Sequence, residues 1–110
     1  MAGDAGGGVV PVLRHEAREF EGRAGSSFGR ASTEGRRALE RIDGPSQLLH
    51  VIYAATYEEA MQEHYDRLGW GQYNPLPGVT DRPYDRNELE QQLAEYPDDA
   101  ELRRLNGLAT

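Results

Sequence analysis

The chain has no cysteine, so neither disulfide staples nor thiolate chemistry contribute to it. Lysine is missing too, and all twelve basic residues are arginine. No apolar run approaches the roughly 20 residues that a membrane span needs. The opening MAGDAGGGVVPV lacks the basic segment and long apolar stretch of a secretory signal. A cytoplasmic location away from any membrane is therefore expected. A basic surplus is also absent, since 19 acidic residues against 12 arginines leave a net charge of −7. Such a chain repels phosphate backbones, and nucleic acid is not an expected partner. Walker and paired-glycine dinucleotide patterns do not occur, and the paired serines of GSSFG, Ser26 and Ser27, have no evident base beside them. No catalytic residue and no cofactor site are expected.

What is present fits one small globular domain. Its 110 residues are 37% hydrophobic and 28% charged, and a domain of this size buries a modest share of its surface. The charge is uneven. Residues 1–45 hold seven acids and seven arginines, whereas residues 46–110 hold twelve acids against five arginines. The second half thus carries the whole excess.

Local signals give a coarse order of elements. Residues 1–8 are Gly-rich and are expected to be mobile, with a single domain over 9–110. Pro11, then Leu13, Ala17 and Phe20 at helical spacing, then Gly22, predict a short helix over about 12–21. GRAGSSFGRAS is read as a flexible loop over about 22–31, anchored by Phe28. A helix over about 33–43 would place Gly35, Ala38, Leu39 and Ile42 on one face before Gly44. The stretch WGQYNPLPGVTDRPY reads as an irregular loop rich in Pro, Gly and aromatics. Asp85 and Glu88 then open a helix that Pro97 stops, and Asp98 with Glu101 opens a last short one before Gly107.

The segment QLLHVIYAATYEEAMQEHYDRLG supports two assignments. Its β-branched and aromatic residues fit a strand at 47–54, followed by a helix that Thr56 caps with Glu59 three residues on. Alternatively one helix runs over about 46–68, with Leu49, Tyr53, Tyr57, Ala60, Met61, His64, Tyr65 and Leu68 on one arc. A strand needs a neighbour, and the only other candidate, GVVPV, is broken by Pro11. The long helix is therefore preferred. It makes the expected fold mostly α, a small domain with a central helix and short flanking helices, with α+β as the alternative.

The chemical candidates are sparse. On one helix His50 and His64 stand about 21 Å apart and cannot share an ion, so no metal site is expected. Glu59 and Glu63 at i,i+4 read as a solvated acidic stripe, and His15 reads as a surface residue. The GRAGSSFGR loop lacks the strand-to-helix setting of a phosphate cradle. Residues Leu48–Ala55 are apolar on nearly all helical faces and must be covered. In GWGQY, two glycines let Trp70 and Tyr73 present large amphipathic rings. Leu48, Val51, Ile52, Trp70 and Tyr73 are the candidate partner-binding residues. The expected function is non-catalytic protein binding, as an accessory subunit or acidic inhibitor, with another protein or a second copy as partner. Two alternatives are an aromatic small-molecule pocket of Tyr53, Tyr57, His64 and Trp70, and an acidic mimic of nucleic acid.

Overall fold

A computed structural model describes residues 10–108 in full, together with the backbone of Gly3–Asp4 and Gly6–Gly7. The mobility expected of residues 1–8 lies outside the fully described residues. From Pro11 onward the order is β1 (Leu13–Phe20), β2 (Ser26–Arg30), α1 (Thr33–Asp43), β3 (Ser46–Ala54), α2 (Tyr57–Leu68), α3 (Arg86–Glu95) and α4 (Ala100–Leu105). Among these residues the strands form one antiparallel sheet of three, with β1 between β2 and β3. The mostly α expectation is therefore wrong, and the fold is α+β.

The correction has a physical cause in β1. Leu13, Ala17 and Phe20 fit helical spacing, but the stretch also alternates. Leu13, His15 and Ala17 share one face and are all 0% exposed. Arg14, Glu16 and Arg18 share the other. Here is the neighbour whose apparent absence argued against a strand at 47–54. Every residue from Leu13 to Phe20 pairs with β3, with one irregularity at Ala17/Arg18 that leaves Leu49 unopposed, a β-bulge. The central helix over 46–68 thus divides into strand β3 and helix α2. The expected loop over 22–31 shortens to a turn, because Ser26–Arg30 pairs back on β1 with Phe28 opposite Ala17. Gly22 does not cap a helix. It sits where its N–H donates to the Asp43 carbonyl, and a Cβ there would lie 2.5 Å from that oxygen.

At α2 the cap is the one that the α+β alternative assigned to Thr56. Thr56 accepts from the Glu59 N–H, while Glu59 reaches back to the Ala55 N–H. Asp85 and Glu88 close a reciprocal capping box on α3. α4 starts one residue later than expected, with Asp99 as its cap. Gly69 ends α2 in the left-handed region at φ 70°, a conformation glycine adopts without Cβ strain.

Two layers hold the sheet. α2 lies on the face of Ile52, Ala54 and Phe28 through Ala60 and His64. α3 and α4 close one end, gathering Leu13, Tyr84, Leu89 and Leu102 against Tyr53 and Leu93. Gln92 ties α3 to the sheet: its amide NH2 donates to the carbonyls of Arg14 and Ala31, and its oxygen accepts from the Arg14 N–H. α1 spans the opposite face between the parallel-running β2 and β3, and none of its residues is buried. Ile42, expected on its inner face, is 79% exposed. Beneath α1 lies a cleft of about 370 Å³, floored by Glu16 and Arg18 and walled by Phe20 and Leu39.

Candidate partner-binding edge

The candidate site is the free edge of β3. One side of this nine-residue strand is bonded to β1, and among the described residues no strand lies along the other. Among the described residues, the backbone of Gln47–Val51 makes no hydrogen bond outside the sheet. A strand edge of this kind offers a row of donors and acceptors to any extended chain. Natural edges are blunted by charge, proline or brevity. β3 carries no charged residue, and the nearest proline, Pro45, lies just before it. The bulge at Leu49 is its only interruption.

The opposite edge, β2, differs. It has five residues, including Gly29, and Arg30 is held in an ion pair with Glu88 of α3. It is short and carries charge, so β3 is the open edge of the two.

The candidate residues from the sequence divide along the strand. Leu48 is 39% exposed and Leu49, which was not singled out, is 47% exposed. Val51 is half-buried on the face of Glu16. Ile52 is 0% exposed and packs in the core with Ala54 and Ala60, so it is closed to a partner. Trp70 is 60% exposed and lies edge-on to His64 and Tyr65. Tyr73 packs edge-on against Tyr65 and is half-buried, its N–H donating to the Gln62 side chain. Leu48, Leu49 and Val51 therefore belong to one strand edge. Trp70 joins them only through the rings of His64 and His50, and Tyr73 stands apart.

Behind the edge lies a pair that the helical assignment had excluded. His50 on β3 and His64 on α2 meet with Nε2 and Nδ1 3.0 Å apart. A strand followed by a returning helix brings together residues that one straight helix would separate. His64 stacks on Phe28 at 4.1 Å between ring centres and is 4% exposed. One nitrogen of the pair donates and the other accepts, so the two rings share one proton between them. Burial holds both below the ordinary histidine range. For His50 the charge of Arg67 adds to this and Glu63 opposes it; for His64, His50 and then Arg67 add to it. Among the described residues no group of three or more His, Cys, Asp or Glu side chains is placed to hold a metal ion.

Two buried polar clusters went unread in the sequence. His15, expected at the surface, is 0% exposed. Its Nδ1 lies 3.1 Å and 3.3 Å from the carbonyls of Leu13 and Ile52, and its Nε2 lies 2.7 Å from the Tyr84 hydroxyl. Carbonyls only accept, so Nδ1 carries the proton and Nε2 accepts from Tyr84. Burial pushes the His15 pKa down to about 4 and the Tyr84 phenol up to about 12. Both groups are neutral at neutral pH. On the far face Glu16 lies between Arg14 and Arg18, each at 2.8 Å, and Arg14 reaches Asp99 at 2.7 Å. The Tyr53 hydroxyl donates to the same Asp99 at 2.9 Å. Residues two apart on one strand are side-by-side neighbours, which is how Arg-x-Glu-x-Arg becomes a ladder of alternating charge.

The aromatic pocket expected of Tyr53, Tyr57, His64 and Trp70 does not assemble. Tyr53 is held by Asp99 on one face of the sheet, and His64 with Trp70 lies over the other. Tyr57 instead lines a hollow of about 320 Å³ with Tyr73, Leu76, Val79 and Tyr84. No helix among the described residues is long and apolar enough to cross a membrane. No protein-family model matches the chain, and neither a curated protein nor a solved structure is similar to it.

Proposed function

We propose that this is a non-catalytic protein-binding protein, an accessory subunit or acidic regulator in the cytoplasm, which docks an extended segment against the free edge of β3. The observation that carries this reading is an uncharged strand whose outer backbone groups have no partner and whose Leu48 and Leu49 stand in solvent. Strand addition draws its affinity from main-chain hydrogen bonds and its selectivity from alternate side chains.

The test is capture from the native host with the immobilised wild-type chain and with Leu49→Lys, followed by reconstitution with the purified captured protein. A charge placed beside the docked strand should weaken the reconstituted complex by about tenfold or more, and hydrogen exchange should show new protection over 47–53. A partner that binds Leu49→Lys as tightly as wild type, with β3 amides unchanged, would sink the proposal.

A further inference from the structure

Resting on β3 as a docking edge, we infer its occupant: β3 of a second copy of this chain, paired antiparallel about a two-fold axis so that two three-stranded sheets become one. The edge itself specifies what can lie on it. Residues 44–57 carry no Asp, Glu or Arg, so a charged side chain laid against their apolar members would be desolvated without a counter-charge. The occupant must be extended, uncharged along about seven residues, apolar, and in possession of a free edge of its own. Among the described strands only β3 meets that description. β1 is paired on both sides and alternates charge, while β2 is short and ends in Arg30.

Symmetry and charge favour the same occupant. Two identical antiparallel strands pair through the same patch on each, the closed arrangement most common in oligomers. The union consumes both β3 edges. The new outer edges are the two β2 strands, blunted by brevity, by Gly29 and by the Arg30–Glu88 pair, so assembly stops at two. Each copy brings a net charge of −7, yet none of it sits on β3. The acids of residues 46–110 lie on α2, α3, α4 and their connections. Copies can therefore approach along this strand without placing like charges opposite one another across the ladder.

The experiment is a mass measurement of the wild-type chain by sedimentation over a wide concentration range, paired with hydrogen exchange at its two ends. The expected result is a species of twice 12.3 kDa that dissociates on dilution, with those amides of 47–53 that point away from β1 protected in the dimer and exposed in the dilute chain. Leu49→Lys should raise the dissociation constant about tenfold or more while leaving the thermal transition of the dilute chain in place. A wild-type chain that stays at 12.3 kDa at its highest soluble concentration overturns the second copy. So does a dimer whose β3 amides exchange as they do in the dilute chain. A monomer whose β3 becomes protected by a captured foreign protein overturns this inference alone. β3 amides left open in both settings overturn the docking edge as well.

Discussion

Replacing Tyr84 by Phe removes one oxygen and tests the buried histidine directly. The lost hydroxyl is the donor to His15 Nε2 at 2.7 Å, in a site where His15 is 0% exposed and Tyr84 8%. With Nδ1 committed to the carbonyls of Leu13 and Ile52, the orphaned nitrogen has no substitute partner. Leaving a buried acceptor unsatisfied costs about 1–3 kcal/mol, a large part of the 5–15 kcal/mol by which most domains are stable. Stability itself should depend on pH. Burial lowers the His15 pKa from 6.5 to about 4, so between those values the unfolded chain binds the proton and the folded one does not. Stability from this group is complete above pH 6.5, falls as the pH drops, and is gone below about 4. The total is roughly 3 kcal/mol for a shift of that size. Once His15 is protonated, Nε2 donates and the Tyr84 oxygen accepts, so Tyr84→Phe should cost stability at both ends of that window. Urea unfolding followed by far-ultraviolet circular dichroism at pH 7.5 and near pH 4 reads both effects. No penalty for Tyr84→Phe at pH 7.5, or an imidazole that titrates near 6.5 by NMR, would refute this account of the site.

Two further substitutions test the sheet. Ile52→Ala should cost about 2–5 kcal/mol in urea unfolding, because the side chain is wholly enclosed, whereas Leu48→Ala, on the open edge, should cost under about 1 kcal/mol. Equal losses would mean that the strand faces are misassigned. Gly22→Ala should cost about 1–3 kcal/mol by overpacking, since the new Cβ would meet the Asp43 carbonyl at 2.5 Å. Unchanged stability there would show that the turn is not held against the end of α1.

Helix boundaries were legible because they rest on local chemistry. The cap at Asp85, the cap at Thr56 that the α+β alternative carried, and the stops at Gly44 and Gly69 each involve residues within a few positions of one another, and the start of α4 was misplaced by one residue, from Asp98 to Asp99. The sheet was not legible because its deciding contacts are distant. His15 faces Ile52 and Ala17 faces His50 across some thirty-five positions. Within β1, Leu13, Ala17 and Phe20 satisfy a 3.6-residue period as well as they sit in a strand, and the alternation of Arg14, Glu16 and Arg18 was the signal that could have decided. As a charge balance those three residues say nothing of structure; their spacing of two is what marks a strand.

The same error hid the site. A helix over 46–68 sends Val51 and Ile52 to different open faces and sets His50 and His64 far apart. A strand instead gives β3 one bonded edge and one free edge, puts Ile52 beneath α2, and joins His50 to His64. The apolarity of Leu48–Ala55 was thus recognised as something that needed covering, but its cover is divided. The sheet face of His50, Ile52 and Ala54 is covered from within by α2. What remains open is the row of backbone groups along Gln47–Val51 with Leu48 and Leu49 beside it. No side-chain pattern announces an unpaired backbone edge, since every residue carries the same donor and acceptor. It becomes visible only when the neighbouring strands are known, and here the ladder from β1 accounts for one side while no described strand lies along the other.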